Sequence, residues 1–149
     1  MLGLSSLTRN AIVALGSMHA LGGGYVPGPR IAESTGIPQP YLSKIMLRLA
    51  RAGLVQSKRG FRGGFRLARP AGQISVLDVA DALEGPAWLG SCLLGLDEKD
   101  CALICPAHGF CIEEGRRIRE HMSRLTLDRV ALPLLSRAAP PARGDHAGT

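Results

Sequence analysis

The stretch Ser57-Lys58-Arg59-Gly60-Phe61-Arg62-Gly63-Gly64-Phe65-Arg66-Leu67 decides the fold of this chain. Two short β-prone runs, Val55-Gln56-Ser57 and Phe65-Arg66-Leu67, flank Gly60, Gly63 and Gly64, which permit the positive φ values of a hairpin tip. The tip carries Lys58, Arg59 and Arg62. Three such charges alone would describe a solvated loop, but the surroundings are unusual: between Glu33 and Asp78 there is no Asp or Glu, against eight Lys or Arg residues. The net charge of +6 over 149 residues therefore conceals a strongly basic segment. Such a segment attracts a polyanion by releasing its condensed counterions, and glycine lets the backbone approach closely.

Upstream, Ile37-Pro38-Gln39-Pro40 predicts a turn, because each proline biases the residue before it away from helix while suiting the first helical turn itself. A helix then runs from Gln39 and stops at Gly53. Leu42, Ile45, Met46 and Leu49 repeat on one face and form its buried stripe, leaving Gln39, Ser43, Lys44, Arg48 and Arg51 pointing away. Before the turn, Arg30 to Gly36 spans two helical turns closed by glycine, the first half of a helix-turn-helix. An earlier helix starts at a Ser5 or Ser6 cap, buries Leu7, Ala11, Ala14, Leu15, Met18 and Leu21, and ends at Gly22-Gly23-Gly24. A basic hairpin beside a recognition helix is a wing. The fold class expected is mainly α (α+β), with a winged helix-turn-helix domain over residues 1–85, a small two-stranded wing and a long C-terminal dimerisation helix. Double-stranded DNA is the expected partner, contacted by Gln39, Tyr41, Ser43, Lys44, Arg48, Lys58, Arg59 and Arg62.

Downstream, Ser75 and Asp78 predict a capped helix over Val76 to Leu83, stopped by Gly85-Pro86. Residues 86–110 show no clear periodicity and form a cysteine-rich loop, long enough to be functional in its own right. Cys92, Cys101, Cys105 and Cys111 fall within twenty residues, together with His108. In a reducing compartment such a cluster means metal or redox chemistry more often than structural disulfides. Soft thiolates select iron-sulfur clusters or zinc, and spacing alone separates the two poorly. From Cys111, Ile112, Gly115, Ile118, Met122 and Leu125 step close to a 3.5-residue seam, so residues 111–137 are expected to form the dimerisation helix. Residues 138–149, with Pro140-Pro141, read as a disordered tail. No run approaches the ~20 apolar residues that span a bilayer, and the N-terminus lacks a basic-then-apolar leader, so a cytoplasmic location and no membrane partner are expected. With no Cys-x-x-Cys and no phosphate loop, an enzyme is not expected. Phe, Tyr and Trp total only six, which argues against stacking platforms for single strands and so against RNA.

Ile31-Ala32-Glu33, Tyr41-Leu42-Ser43-Lys44-Ile45, Leu49, Ala52-Gly53-Leu54-Val55, Ser57, Arg59-Gly60, Gly63-Gly64-Phe65-Arg66-Leu67 and Ile74-Ser75-Val76-Leu77-Asp78-Val79 carry a family likeness. Over roughly Leu4 to Leu132 the chain resembles the Rrf-two family of bacterial winged-helix transcriptional regulators, in particular its IscR- and NsrR-like members. The resemblance implies a homodimer joined through the helix after Cys111, bound to a palindromic operator, and in many members an iron-sulfur cluster (2Fe-2S or 4Fe-4S) held by three loop cysteines. Gln39, Tyr41, Ser43 and Lys44 match the family's recognition helix, and Arg59 matches a wing arginine that enters the minor groove. Cys92, one of Cys101 or Cys105, and Cys111 match the ligand loop. The spacing Cys92-x8-Cys101-x3-Cys105-x5-Cys111 has one cysteine more than usual, while Cys105-Pro106-Ala107-His108 is similar to a Cys-Pro-x-His variant. Arg9 stands where some members carry a cluster-completing acid. The expected function is a dimeric DNA-binding regulator, a repressor, controlled by an iron-sulfur cluster. Cys92, Cys101, Cys105 and Cys111 are the expected ligands and His108 the alternative to Cys111. Structural zinc, or a thiol/disulfide redox switch, is the alternative to a cluster.

Overall fold

The structure, a computed structural model, describes residues 4–85, 88, 89, 92 and 94–130. Its elements are α1 (Ser6–Ala20), α2 (Gly28–Thr35), α3 (Gln39–Arg51), β1 (Val55–Lys58), β2 (Gly64–Leu67), α4 (Val76–Glu84), α5 (Glu98–Ile104) and α6 (His108–Arg124), with a 3-10 turn at Ala71–Gln73. This is the winged helix expected, mainly helical with one two-stranded antiparallel sheet.

Local chemistry sets the boundaries. The Ser5 side chain accepts the Thr8 N–H and starts α1. Pro27 and Pro38 precede α2 and α3, each helix carrying a further proline in its first turn, and Gly36 ends α2 in the left-handed region at φ 71°. Ser75 and Asp78 form a reciprocal capping box at the head of α4. Leu15, Met18, Ile31, Leu42, Ile45, Met46, Leu49, Ile74, Val79 and Leu127 are fully buried where α1 to α4 converge. Each such side chain contributes roughly 1.5–3 kcal/mol relative to exposure.

The wing pairs Val55 with Leu67, Gln56 with Arg66, Ser57 with Phe65 and Lys58 with Gly64. Val26 extends it, exchanging two backbone hydrogen bonds with Phe65 at 2.8 and 2.9 Å. Gly64 sits at φ 135° with its α-carbon so near this segment that a β-carbon would lie 2.2 Å from the Val26 carbonyl oxygen. No other residue fits there without moving backbone.

Three expectations are corrected. The loop is not free of regular structure, because α5 lies within it. The last long helix begins at His108, three residues before Cys111, and stops at Arg124; Thr126 then bridges to Ser75, and residues 127–130 are helical again. The apolar face of α6 is also used differently. Gly115 and Met122 are buried and Ile118 and Leu125 pack on the core of the same chain, while Ile112 stays exposed. Most of the expected seam thus faces the chain's own core, with Ile118 and Leu125 half-buried there. Residues 131–137 and the expected tail at 138–149 lie outside the described residues.

Candidate nucleic-acid interface and thiol site

The first turns of α3 present Gln39, Ser43 and Lys44 to solvent, and the Ser43 hydroxyl donates to the Gln39 carbonyl at 3.0 Å. Tyr41 is half-buried against the core. Ser43, Leu47 and Ala50 form one wall of a cleft of about 410 Å³ whose other wall is Ser57, Lys58, Arg59, Gly64 and Phe65. Helix α3 and the wing therefore flank one cleft, with Lys58 and Arg59 on its wing side. Arg48 is placed apart: its guanidinium donates to the Leu83 carbonyl at 2.6 Å, satisfying a carbonyl at the end of α4.

The eight cations of the acid-free segment are not all uncompensated, since the fold brings Asp78 to 3.7 Å from Arg69. Among the described residues, none of the other seven has a carboxylate within ion-pair distance. Tyr25 was not foreseen. Its ring underlies the Arg66 guanidinium at 4.9 Å and the Lys58 ammonium at 5.8 Å, while Arg66 donates to the Gln56 side chain at 2.7 Å. Alternation along the strands already put Gln56, Lys58 and Arg66 on one face. The ring beneath them comes from a loop some thirty residues away, which no local pattern signals.

The thiol site forms around α5. Asp97 caps this helix by accepting the Asp100 N–H at 2.9 Å. One turn of helix then separates Cys101 from Cys105, and the His108 N–H donates to the Cys105 carbonyl at 3.1 Å as α6 starts. The Sγ atoms of Cys92, Cys101 and Cys105 all lie within 4.8 Å of one another, with Cys101 and Cys105 buried. Cys92 and Cys105 are 3.7 Å apart, and the Cys101 Sγ is 3.3 Å from the His108 Nδ1. His108 and, one helical turn beyond it, Cys111 are both outside the group of three.

Burial works to push the Cys92 thiol up, but N–H donors from Leu96 and Leu94 and the thiols of Cys101 and Cys105 outweigh it and bring the group down to about 7. Cys101, donating to the Cys92 sulfur and itself desolvated, is pushed up to about 12. One sulfur of the triangle is thus ready to act as a thiolate ligand. Three sulfurs with an imidazole beside them form a soft donor set suited to zinc or iron-sulfur iron.

The mouth of the loop is fixed to the helices beside it. The Trp88 Nε1 donates to Asp81 of α4 at 3.0 Å, and Arg119 of α6 forks onto the same carboxylate at 2.9 and 2.7 Å. That pairing raises the Arg119 pKa above its ordinary value. Gly115 lets the Leu89 carbonyl approach α6 so closely that a β-carbon would be 2.8 Å from its oxygen.

A profile of the Rrf2 family, described as "Iron-dependent Transcriptional regulator", matches residues 4–132. Protein aau3 of Rhizobium meliloti is 41% identical over 76 residues, 51% of this chain and 49% of that protein. HTH-type transcriptional regulator IscR of Cereibacter sphaeroides is 38% identical over 84 residues, 54% of each. The chain spans about half the length of these relatives. Among solved structures, CymR, the global cysteine regulator of B. subtilis, superposes with a TM-score of 0.71 at 25% identity, over 89% of this chain and 98% of its own. T. potens IscR gives 0.68 at 28% identity, over 95% and 93%. Among the described residues no helix is long and apolar enough to cross a membrane.

Proposed function

Because the chain belongs to the Rrf2 family of winged-helix transcriptional regulators, which bind DNA and are not enzymes, we propose that it is a homodimeric repressor whose operator binding depends on an iron-sulfur cluster. Gln39, Ser43 and Lys44 at the head of α3 enter the major groove of each operator half-site. Tyr41 positions that turn, and Lys58, Arg59 and Arg62 of the wing follow the adjacent phosphates and minor groove. A two-fold protein matches a palindromic site.

The observation that carries the regulatory part is the triangle of Cys92, Cys101 and Cys105, held on a loop whose mouth is bonded to α4 and α6. These three thiols would hold the cluster, with His108 rather than Cys111 as the fourth donor, because the imidazole already lies against Cys101. A bound cluster would supply the loop with bonds that iron's redox chemistry makes and breaks. The chain's own residues carry a change in the loop onward: Trp88 and Arg119 meet on Asp81, and the Leu83 carbonyl of the same helix receives Arg48 from the recognition helix. Arg48 therefore acts between α4 and α3 rather than on the bases.

A single soft metal ion is the second reading, favoured because all three sulfurs lie within 4.8 Å of one another. Thiolates about 2.3 Å from one tetrahedral ion stand about 3.8 Å apart, whereas thiolates on different irons of a cluster stand wider. The test is anaerobic purification, visible absorbance, and iron, sulfide and zinc per chain for the wild type and for alanine replacements of Cys92, Cys101, Cys105, Cys111 and His108. Brown protein with iron and sulfide, lost on replacing any of the first three and kept in Cys111→Ala, supports the proposal. Colourless protein with zinc selects the single ion, and full occupancy in Cys92→Ala removes the site.

A further inference from the structure

The wing tip carries an apolar ring that stands clear of the hydrophobic core among the described residues. Phe61 is 89% exposed, more than any other large apolar side chain among the described residues. The Arg62 guanidinium lies 5.4 Å from the ring centre. A solvated aromatic on a floppy loop would mean little, but this tip is tightly built. The Gly63 N–H donates to the Gly60 carbonyl at 2.9 Å, closing a turn with Phe61 and Arg62 at its centre. Arg62 lies in the left-handed region at φ 56°, the one non-glycine residue with positive φ among those described. The tip is so folded back that a β-carbon on Gly63 would lie 2.3 Å from the Lys58 carbonyl oxygen. Below it the hairpin is paired over four residues and pinned to Val26. A strained, over-determined turn thus holds one phenyl ring outward at the end of a rigid lever.

The surroundings select what the ring meets. Lys58, Arg59, Arg62 and Arg66 surround the tip, and none has a carboxylate partner among the described residues. An apolar protein surface would have to bury these cations against it. Duplex DNA accepts both features, since its phosphates take the cations and its minor groove offers sugar walls and base edges to an apolar wedge. Resting on the regulator reading above, we propose that Phe61 is a specificity-determining wedge. It enters the minor groove at the wing position of each half-site and favours a pyrimidine–purine step there, because such steps unstack most easily.

The test uses the full chain, purified anaerobically, and a short duplex recovered by that protein from a random pool. The duplex carries a fluorescent aminopurine at the step beneath the wing, located by footprinting. Phe61→Ala should weaken binding about tenfold, the scale of one lost base–aromatic contact. It should also abolish the aminopurine fluorescence rise and leave the salt dependence of affinity unchanged. Phe61→Leu should keep most of the affinity and the fluorescence rise. Arg59→Ala should weaken binding and flatten the log–log salt slope by about one for each wing. Phe61→Ala with wild-type affinity and an intact fluorescence rise overturns the wedge, as does a selected step that is indifferent to sequence. A pool from which the wild type recovers no duplex overturns the regulator reading instead.

Discussion

Cys92 and Cys101 touch within the thiol triangle, yet one is drawn down to about 7 and the other pushed up to about 12. The asymmetry comes from direction: Cys92 collects backbone N–H donors from a tight turn, and Cys101 is one of the groups donating to it. In metal-free protein, alkylation of Cys92 by iodoacetamide should therefore rise with a midpoint near pH 7, while Cys101 stays unreactive at that pH. Peptide mass spectrometry separates the two, and equal rates would show that the turn does not discriminate between them. The same shift has a consequence for stability. A thiol depressed from 9.0 to about 7 contributes stability that is present above pH 9 and lost as pH falls through about 7. Cys101, shifted the other way, contributes below pH 9 and loses its contribution as pH rises through about 12. Between pH 7 and 9 the metal-free chain should accordingly grow more resistant to urea as pH rises, and Cys92→Ser should remove that dependence.

At the scale of elements, α6 meets the mouth of the thiol loop through Gly115. In an ordinary helix interior, replacing glycine with alanine stabilises by roughly 0.5–1 kcal/mol. Here the new β-carbon would stand 2.8 Å from a backbone carbonyl, that of Leu89, and overpacking against a backbone costs about 1–3 kcal/mol. Gly115→Ala should therefore destabilise, by about 1 kcal/mol net, reversing the sign expected from helix propensity. A urea midpoint that rises instead would mean that the loop gives way freely and is not anchored there. Asp81→Asn tests the neighbouring joint, since it keeps the shape but removes the charge that Arg119 and Trp88 share. Operator affinity should then respond less to the state of the thiol site, while the winged helix stays folded.

Over the whole molecule, the acid-free basic segment folds into α3 and the wing, where Leu47 and Phe61 are also exposed, and the other exposed large apolar side chains lie around the thiol site. If a dimer neutralises about 6–10 phosphates, log K should fall with log salt at a slope of roughly −5 to −9. Arg59→Ala should lessen that slope, whereas Arg69→Ala should leave it nearly unchanged because Arg69 already has Asp78 as a partner. Besides Leu94 on the loop, the large apolar side chains left uncovered near the thiol site are Leu103, Ile104, Phe110 and Ile112, between 55% and 81% exposed. They belong to α5 and the first turns of α6, and a second copy is proposed to cover them. Ile112→Glu should then give a folded monomer in sedimentation velocity, whereas Ile118→Glu should lower the melting temperature of the chain itself, since Ile118 packs on its own core. A stable dimer in Ile112→Glu would move the interface elsewhere.

The wing, the helix-turn-helix and the caps of α1 and α4 were legible in the sequence because each depends on chemistry within a few residues: glycines at a tip, prolines at a first turn, a serine three places before its acid. The buried stripe of α3 was legible for the same reason, since one helical period fixes which side chains share a face. The short helix α5 was not, because seven residues with a single cap carry too little periodicity to stand out from a loop. Nor could periodicity say what α6 packs against, since a stripe facing a partner and a stripe facing the chain's own core have the same spacing. Tertiary structure alone decided that Asp78 neutralises Arg69, that Tyr25 underlies the wing, and that His108 rather than Cys111 stands against Cys101. Each of these depends on where separate segments meet in space, and sequence distance does not encode that.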